Sequence, residues 1–181
     1  MFADETGFFL SPLVRRTWAA TGHTPILRQK TSSYRHVSAI GALTISPRRR
    51  RLNLLLQLHP GEAIRQDGAI EFLRQLLRHL RGPIVLLWDR LPVHRGRQVQ
   101  TFVKTHPRLH LEYFPGYAPE LNAIEYLWGW LKRNPLANHC PDTLDTLVDD
   151  VFHATEPLYT NQQLLRSFIH ATPLPFRFPN T

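Results

Sequence analysis

The sequence predicts an α/β fold, and three observations carry that prediction. Apolar runs of strand length stand at residues 34–45 and 52–58, joined by a basic turn, so part of the sheet is built from hairpins. A further run at 84–88 and another at 109–114 each follow a stretch of helical periodicity, which is the alternation of an α/β chain. No internal repeat or linker divides the chain, whose 181 residues suit one domain.

In chain order, residues 1–4 read as a very short extended piece. Thr6-Gly7 and the apolar run Phe8-Phe9-Leu10 follow. Residues 15–30 are basic and turn-rich, holding Trp18, Gly22 and Pro25. The 34–45 strand is rich in β-branched and small residues, and Pro47-Arg48-Arg49-Arg50-Arg51 reads as the tip of its hairpin with 52–58. After the turn at Asp67-Gly68, Ile70, Leu73, Leu76, Leu77 and Leu80 recur at helical spacing until Gly82-Pro83 ends the helix. Residues 94–105 read as one helix, Pro115-Gly116 as a break, and 120–133 as an amphipathic helix. Two more helices fit 142–155 and 161–170, and the proline-rich tail from Thr172 reads as irregular or mobile.

Composition bounds the function. With 43% apolar residues the chain can bury a core. One cysteine excludes an internal disulfide framework. No apolar run approaches the roughly 18–20 residues of a membrane helix, and Asp4 and Glu5 interrupt any secretory signal. These features describe a soluble domain of a reducing compartment with no membrane partner. Against 14 Asp and Glu stand 22 Lys and Arg, a net +8 that favours an anionic partner such as nucleic acid.

Three acids stand out by position. Asp4 is on the first strand, and Asp89 ends the run Ile84-Val85-Leu86-Leu87-Trp88, where α/β folds expose functional side chains. Glu125 sits among Leu121, Ile124, Trp128 and Leu131, so helical spacing carries it towards the core side; the alternative is the exposed edge of that stripe. Three carboxylates in one cleft need a compensating charge, and an oxygen-loving divalent ion, Mg²⁺ or Mn²⁺, supplies it. Two such ions serve phosphodiester chemistry, with the basic surface holding the nucleic acid. Strand alternation turns Asp4 and Glu5 to opposite faces, so only one joins the cluster. Glu120 reads as a helix first-turn acid, and Asp142, Asp145, Asp149 and Asp150 as a cap and solvated face. His139-Cys140 lacks partners at zinc-ligand spacing.

The local sequences go further. F-A-D-E-T-G-F at 2–8 with R-R-T-W-A-A-T-G-H-T-P at 15–25, L-L-W-D-R-L-P-V-H-R at 86–95, and Y-F-P-G-Y-A-P-E-L-N-A-I-E-Y-L-W-G-W-L-K-R at 113–133 form three blocks. Together they resemble the DDE endonuclease domain of bacterial insertion-sequence transposases in the mariner superfamily. The resemblance runs from residue 2 to about 156, with thirty-five residues between Asp89 and Glu125. It implies an RNase H-like fold, a mixed sheet of about five strands flanked by helices over residues 1–170, with 171–181 as an irregular tail. It implies Asp4, Asp89 and Glu125 as the catalytic, metal-binding triad with two Mg²⁺ or Mn²⁺ ions. It also implies cleavage at transposon ends by water, attack of the released 3′-hydroxyl on target DNA at TA dinucleotides, and a dimer that pairs two ends. The implied setting is the bacterial cytoplasm, at the nucleoid.

Around that triad, Arg15, Arg16 and Lys30 read as a segment leaning on DNA, Arg48, Arg49, Arg50 and Arg51 as a backbone-tracking tip, and Lys132 and Arg133 as cleft-edge contacts. His94, five residues after Asp89, reads as a phosphate contact or an orienter of water. Trp18 and Trp128 read as packing residues. Two features depart from the family. Arg90 follows Asp89 where relatives carry a small or amide residue, and only three residues precede Asp4, which leaves a shortened first strand. The chain carries no helix-turn-helix region, which full-length relatives use to recognise transposon ends, so an upstream subunit would have to supply it. Two other readings stay open: a non-catalytic remnant binding DNA or a partner subunit, and a stand-alone RNase H-like nuclease.

Overall fold

A computed structural model describes residues 1–28 and 35–179. Lys30 and Tyr34, both named above, lie outside the described residues. Five strands, β1 (Phe2–Phe9), β2 (His36–Ile45), β3 (Leu52–Pro60), β4 (Ile84–Trp88) and β5 (Leu109–Tyr113), form one sheet in the order β3-β2-β1-β4-β5. β1, β2 and β3 pair antiparallel as hairpins, whereas β4 and β5 run parallel to β1. This is the mixed five-stranded sheet that the sequence predicts. No helix among the described residues is long and apolar enough to cross a membrane.

The first strand is not shortened. β1 continues through Thr6 and Gly7 to Phe9, and every residue from Phe2 to Phe9 has a partner on β2. Thr6-Gly7 looks like a break in isolation, but the neighbouring strand supplies the ladder that local propensity lacks.

Alternation along β1 sorts its side chains between two cores. Phe2 and Phe8 enter a cluster with Ile124, Leu127, Trp128 and Leu131 of α4 (Ala123–Arg133), with Leu147 and Val151 of α5 (Leu144–Thr155), and with Leu165 and Phe168 of α6 (Gln162–His170). Ala3 enters the opposite cluster, with Phe72, Leu73 and Leu76 of α1 (Gln66–His79) and Val99 of α3 (Arg97–Lys104). Helices therefore cover both faces of the sheet: in β4, Leu86 and Trp88 enter the second cluster while Leu87, between them, packs against the first.

Several boundaries differ from the sequence reading. The expected helix 94–105 is two pieces, α2 (Pro92–Arg95) and α3, separated by extended backbone at Gly96. A Cβ at Gly96 would collide with the Gln66 side chain, so α1 occupies the space a residue of a continuous helix would need. The 120–133 helix is a 3₁₀ turn, Pro119–Leu121, followed by α4, which places Glu120 in the turn and Glu125 in the first turn of the helix. Thr143, not Asp142, caps α5 by accepting from the Thr146 N–H. The tail after α6 is irregular yet held on the core, with the Phe176 ring edge-on to Phe2 at 5.8 Å. Trp128 is buried, but Trp18 is fully exposed and packs nothing.

One glycine is required by packing. Gly41 pairs with Asp4 across the β1–β2 ladder, and a Cβ there would stand 2.7 Å from Trp128 Cη2. Gly41→Ala is expected to displace Trp128 and with it α4, at about 1–3 kcal/mol. Thermal melts of the two proteins measure it, and an unchanged midpoint would show that Trp128 yields freely.

Candidate active site

The register builds the site. Phe2, Asp4, Thr6 and Phe8 share the face covered by α4, so Asp4 looks towards the first turn of that helix, where Glu125 stands. Phe2 pairs with Leu87 of the parallel strand β4, which brings the carboxyl end of β4, and Asp89 after it, alongside Asp4. Asp4, Asp89 and Glu125 thus line one cavity of about 430 Å³, with Arg90, Tyr117 and Asn122 in its walls. Three segments far apart in sequence meet at the carboxyl end of β4, the usual site position in parallel α/β sheets.

Their environments differ. Asp4 is buried; burial, then the negative charges of Glu125, Glu5 and Asp89, push its carboxyl up to about 8 against one stabilising backbone hydrogen bond. For Asp89, burial works upward, but hydrogen bonds from His94 and the Leu91 N–H outweigh it and hold the carboxyl below the usual range. Glu125 is exposed to the cavity rather than carried into the core, because Ala123, Ile124, Leu127, Trp128 and Leu131 take the buried stripe and leave it at the stripe's edge. Lys132 lies one turn or more further along α4. Its amine donates to Thr6 Oγ1 at 2.5 Å, and burial lowers its pKa against the attraction of Glu125 and Asp4.

The remaining basic residues divide. Arg133 is exposed beside Lys132, its Nε donating to its own helix at Gly129 O (2.9 Å). Arg15 and Arg16 are exposed beyond the end of β1, where the Arg15 N–H donates to Asn138 Oδ1 at 2.6 Å. Arg48, Arg49, Arg50 and Arg51 form the β2–β3 turn, with Arg49 at φ 54°. Since Ile45 lies beyond the residue paired with Phe2, that turn extends from the end of the sheet where β1 begins, away from Asp89. The structure does not bring the arginine tip to the acids.

His94 differs most from expectation. It is wholly buried, its ring stacked on Trp88 at 3.7 Å, with Nδ1 2.5 Å from Asp89 Oδ1 and Nε2 2.9 Å from Glu5 Oε2. Both ring nitrogens are committed to carboxylates, so it does not present itself to a phosphate. Burial opposes its charge, but the hydrogen bonds and charges of Asp89 and Glu5 raise the ring to about 9. Sequence reasoning gave Glu5 no partner. Alternation predicted its face, but not that α2 folds under the sheet to meet it. Asn122 was also missed: its Nδ2 donates to Ala3 O at 3.0 Å and ties the start of α4 to β1 beside Asp4.

An RNase H-like α/β domain with acids from one strand, the segment just after another and a flanking helix around one cavity defines the class. The family model described as DDE superfamily endonuclease matches residues 1–148, and the chain belongs to that family. Among curated proteins it is 32% identical over 73 residues to the insertion element IS630 uncharacterized 39 kDa protein of Shigella sonnei, covering 40% of this chain and 21% of that one. Its fold matches the Mos1 mariner paired end complex with Mn at TM-score 0.69 and 16% identity, over 94% of this chain and 51% of that chain. It also matches the catalytic domain of Mos1 mariner transposase at TM-score 0.59 and 14% identity, over 94% and 75%. The chain spans about half the length of the first of these Mos1 chains and about a fifth of the IS630 protein.

Membership in this family implies a divalent metal, and the residues fit one. Burial and then the negative charge of its neighbours raise Asp4, and a cation relieves that charge. In the cavity wall, Asn122 Oδ1 is buried with no hydrogen-bond partner among the described residues, an oxygen suited to a cation or its water. Among the described residues no three His, Cys, Asp or Glu side chains stand close enough together to form a compact ligand set.

Proposed function

We propose that this chain is the catalytic domain of a DNA transposase of the insertion-sequence and mariner type, with Asp4, Asp89 and Glu125 holding two Mg²⁺ or Mn²⁺ ions. The observation that carries this reading is the convergence of those three acids on one cavity in a DDE-family chain. Bound there, divalent ions supply a nucleophilic water at neutral pH and charge stabilisation for the leaving oxygen. Asp4, nearly buried, anchors the floor of the cavity, while Glu125 and Asp89 at its edges leave the phosphodiester a path in. Lys132 and Arg133 on α4, with Arg15 and Arg16 beyond β1, take the DNA backbone on the cavity side. Arg48, Arg49, Arg50 and Arg51 belong to a separate contact at the far end of the sheet, such as target DNA or a second subunit.

The reaction is end cleavage followed by strand transfer to target DNA, performed by a dimer with an end-recognising helix-turn-helix segment upstream or on a partner subunit. The catalytic domain spans residues 1–170, with the tail as an addition on its core, and works at the nucleoid in bacterial cytoplasm. Against the remnant reading we set the eight residues of β1, which hold Asp4 within a paired ladder.

The test is incubation of supercoiled DNA with the purified chain and Mn²⁺, beside Asp89→Ala. Nicking by the wild type and a loss of about a thousandfold in the variant are expected. Equal cleavage, or none from either, overturns the reading. Competition by transposon-end DNA separates a transposase from a general nuclease.

A further inference from the structure

Asp89 is held from behind. Its Oδ1 accepts the Leu91 N–H at 3.0 Å and faces His94 Nδ1 at 2.5 Å, which occupies both lone pairs of that oxygen. No hydrogen bond engages Oδ2 among the described residues, which leaves that oxygen open on a residue that lines the cavity. His94 is fixed in turn. Its ring lies on Trp88 at 3.7 Å and 19°, and its Nε2 meets Glu5 Oε1 and Oε2 at 3.0 and 2.9 Å. A third restraint acts on its backbone: the Tyr113 hydroxyl donates to His94 O at 3.0 Å, and Gln100 Nε2 in turn donates to Tyr113 Oη at 2.7 Å.

Ionised carboxylates only accept hydrogen bonds, so the geometry has the ring donating from both nitrogens. Glu5 does not line the cavity of Asp4, Asp89 and Glu125; it faces the other side of β1, in a separate depression with His94. We infer that the Glu5–His94 pair is a positioning device for the active site: it clamps Asp89 Oδ1 and leaves Oδ2 as the single oxygen this residue offers to the divalent ion and substrate. Glu5 acts at a distance, by holding the ring from its far nitrogen so that the near one stays on Asp89. The two neighbours Asp4 and Glu5, on opposite faces of one strand, then serve one site in different ways. The inference rests on the function proposed above.

Mn²⁺ binding to the purified chain, followed by the electron paramagnetic resonance signal of the free ion, tests it without recourse to catalysis. His94→Phe keeps a ring on Trp88 and removes both donors; it is expected to weaken Mn²⁺ binding about 10- to 100-fold, the usual loss when a ligand's hydrogen-bond partner is removed. Glu5→Gln is expected to weaken it several-fold, and the double variant no more than His94→Phe alone, because both act through one ring. His94→Gln, whose amide can reach Asp89, is expected to recover part of the affinity. Thermal melts accompany each variant. If His94→Phe does not fold, Glu5→Gln and His94→Gln decide: wild-type affinity in Glu5→Gln overturns the inference. Independent, multiplying losses from the two sites overturn it as well. Wild type that binds Mn²⁺ while His94→Phe binds equally well sinks this inference and leaves the proposed function standing. Wild type that binds no Mn²⁺ sinks both.

Discussion

Asp4→Asn is expected to stabilise the metal-free protein and to abolish its cleavage. Asp4 is 6% exposed, with Glu125, Glu5 and Asp89 as like-charged neighbours and Lys132 as the nearby cation. Its carboxyl titrates at about 8 in the fold against an ordinary value of 3.8. A carboxyl raised by folding contributes fully to stability below its unfolded pKa, and that contribution is lost as pH rises through the folded pKa. The wild type therefore weakens between about pH 4 and pH 8, whereas asparagine does not titrate. The melting temperature of Asp4→Asn should exceed that of the wild type by several degrees at pH 8.5, where each kcal/mol is worth about 2–4 °C in a chain of this size. At pH 4 the two should nearly coincide. Calorimetry with divalent ions chelated measures both, and a variant that melts lower at pH 8.5 would contradict the account. Cleavage with Mn²⁺ should fall about a thousandfold, because the charge that destabilises the empty site is the one that holds the ion. Instability and function have the same source here.

The second large effect belongs to Trp128→Ala. This side chain is 2% exposed, fills the gap over Gly41, and meets Phe8 edge-on at 6.2 Å and 82°. Its removal should cost about 3–5 kcal/mol, a large part of the roughly 5–15 kcal/mol that holds a domain together. Because α4 also carries Glu125 and Lys132, loss of this contact loosens the site as well as the core. Trp128→Phe should recover most of the stability. It keeps an aromatic ring and deletes an indole N–H that is buried with no hydrogen-bond partner among the described residues. Denaturant midpoints of the three proteins order them, and a Phe variant as unstable as Ala would show that the indole's full width is required.

The acids show how much of the site was legible in the sequence. Strand alternation separated Asp4 from Glu5, the end of an apolar run marked Asp89, and helical spacing allowed Glu125 as a stripe edge. Each rests on a period of one element, which a linear sequence displays directly. The first strand read as short because only three residues precede Asp4, whereas a strand's continuity depends on its neighbour's ladder, here from Phe2 to Phe9. The helix at 94–105 misled because Gln66, about thirty residues earlier, occupies the space beside Gly96. His94 misled most: its sequence position suggested a phosphate contact or an orienter of water, and only the path of α2 beneath the sheet makes it a buried bridge between Glu5 and Asp89.

By itself, then, the sequence determined the α/β class and the family and singled out the three acids that line one cavity, since those follow from local periods and contiguous motifs. Tertiary structure alone decided which charges meet. It brought Lys132 to the acids, left the Arg48–Arg51 turn at the far end of the sheet, and turned His94 inward. Electrostatic and hydrogen-bond energies depend on distances through space and on burial, and neither is a property of separation along the chain.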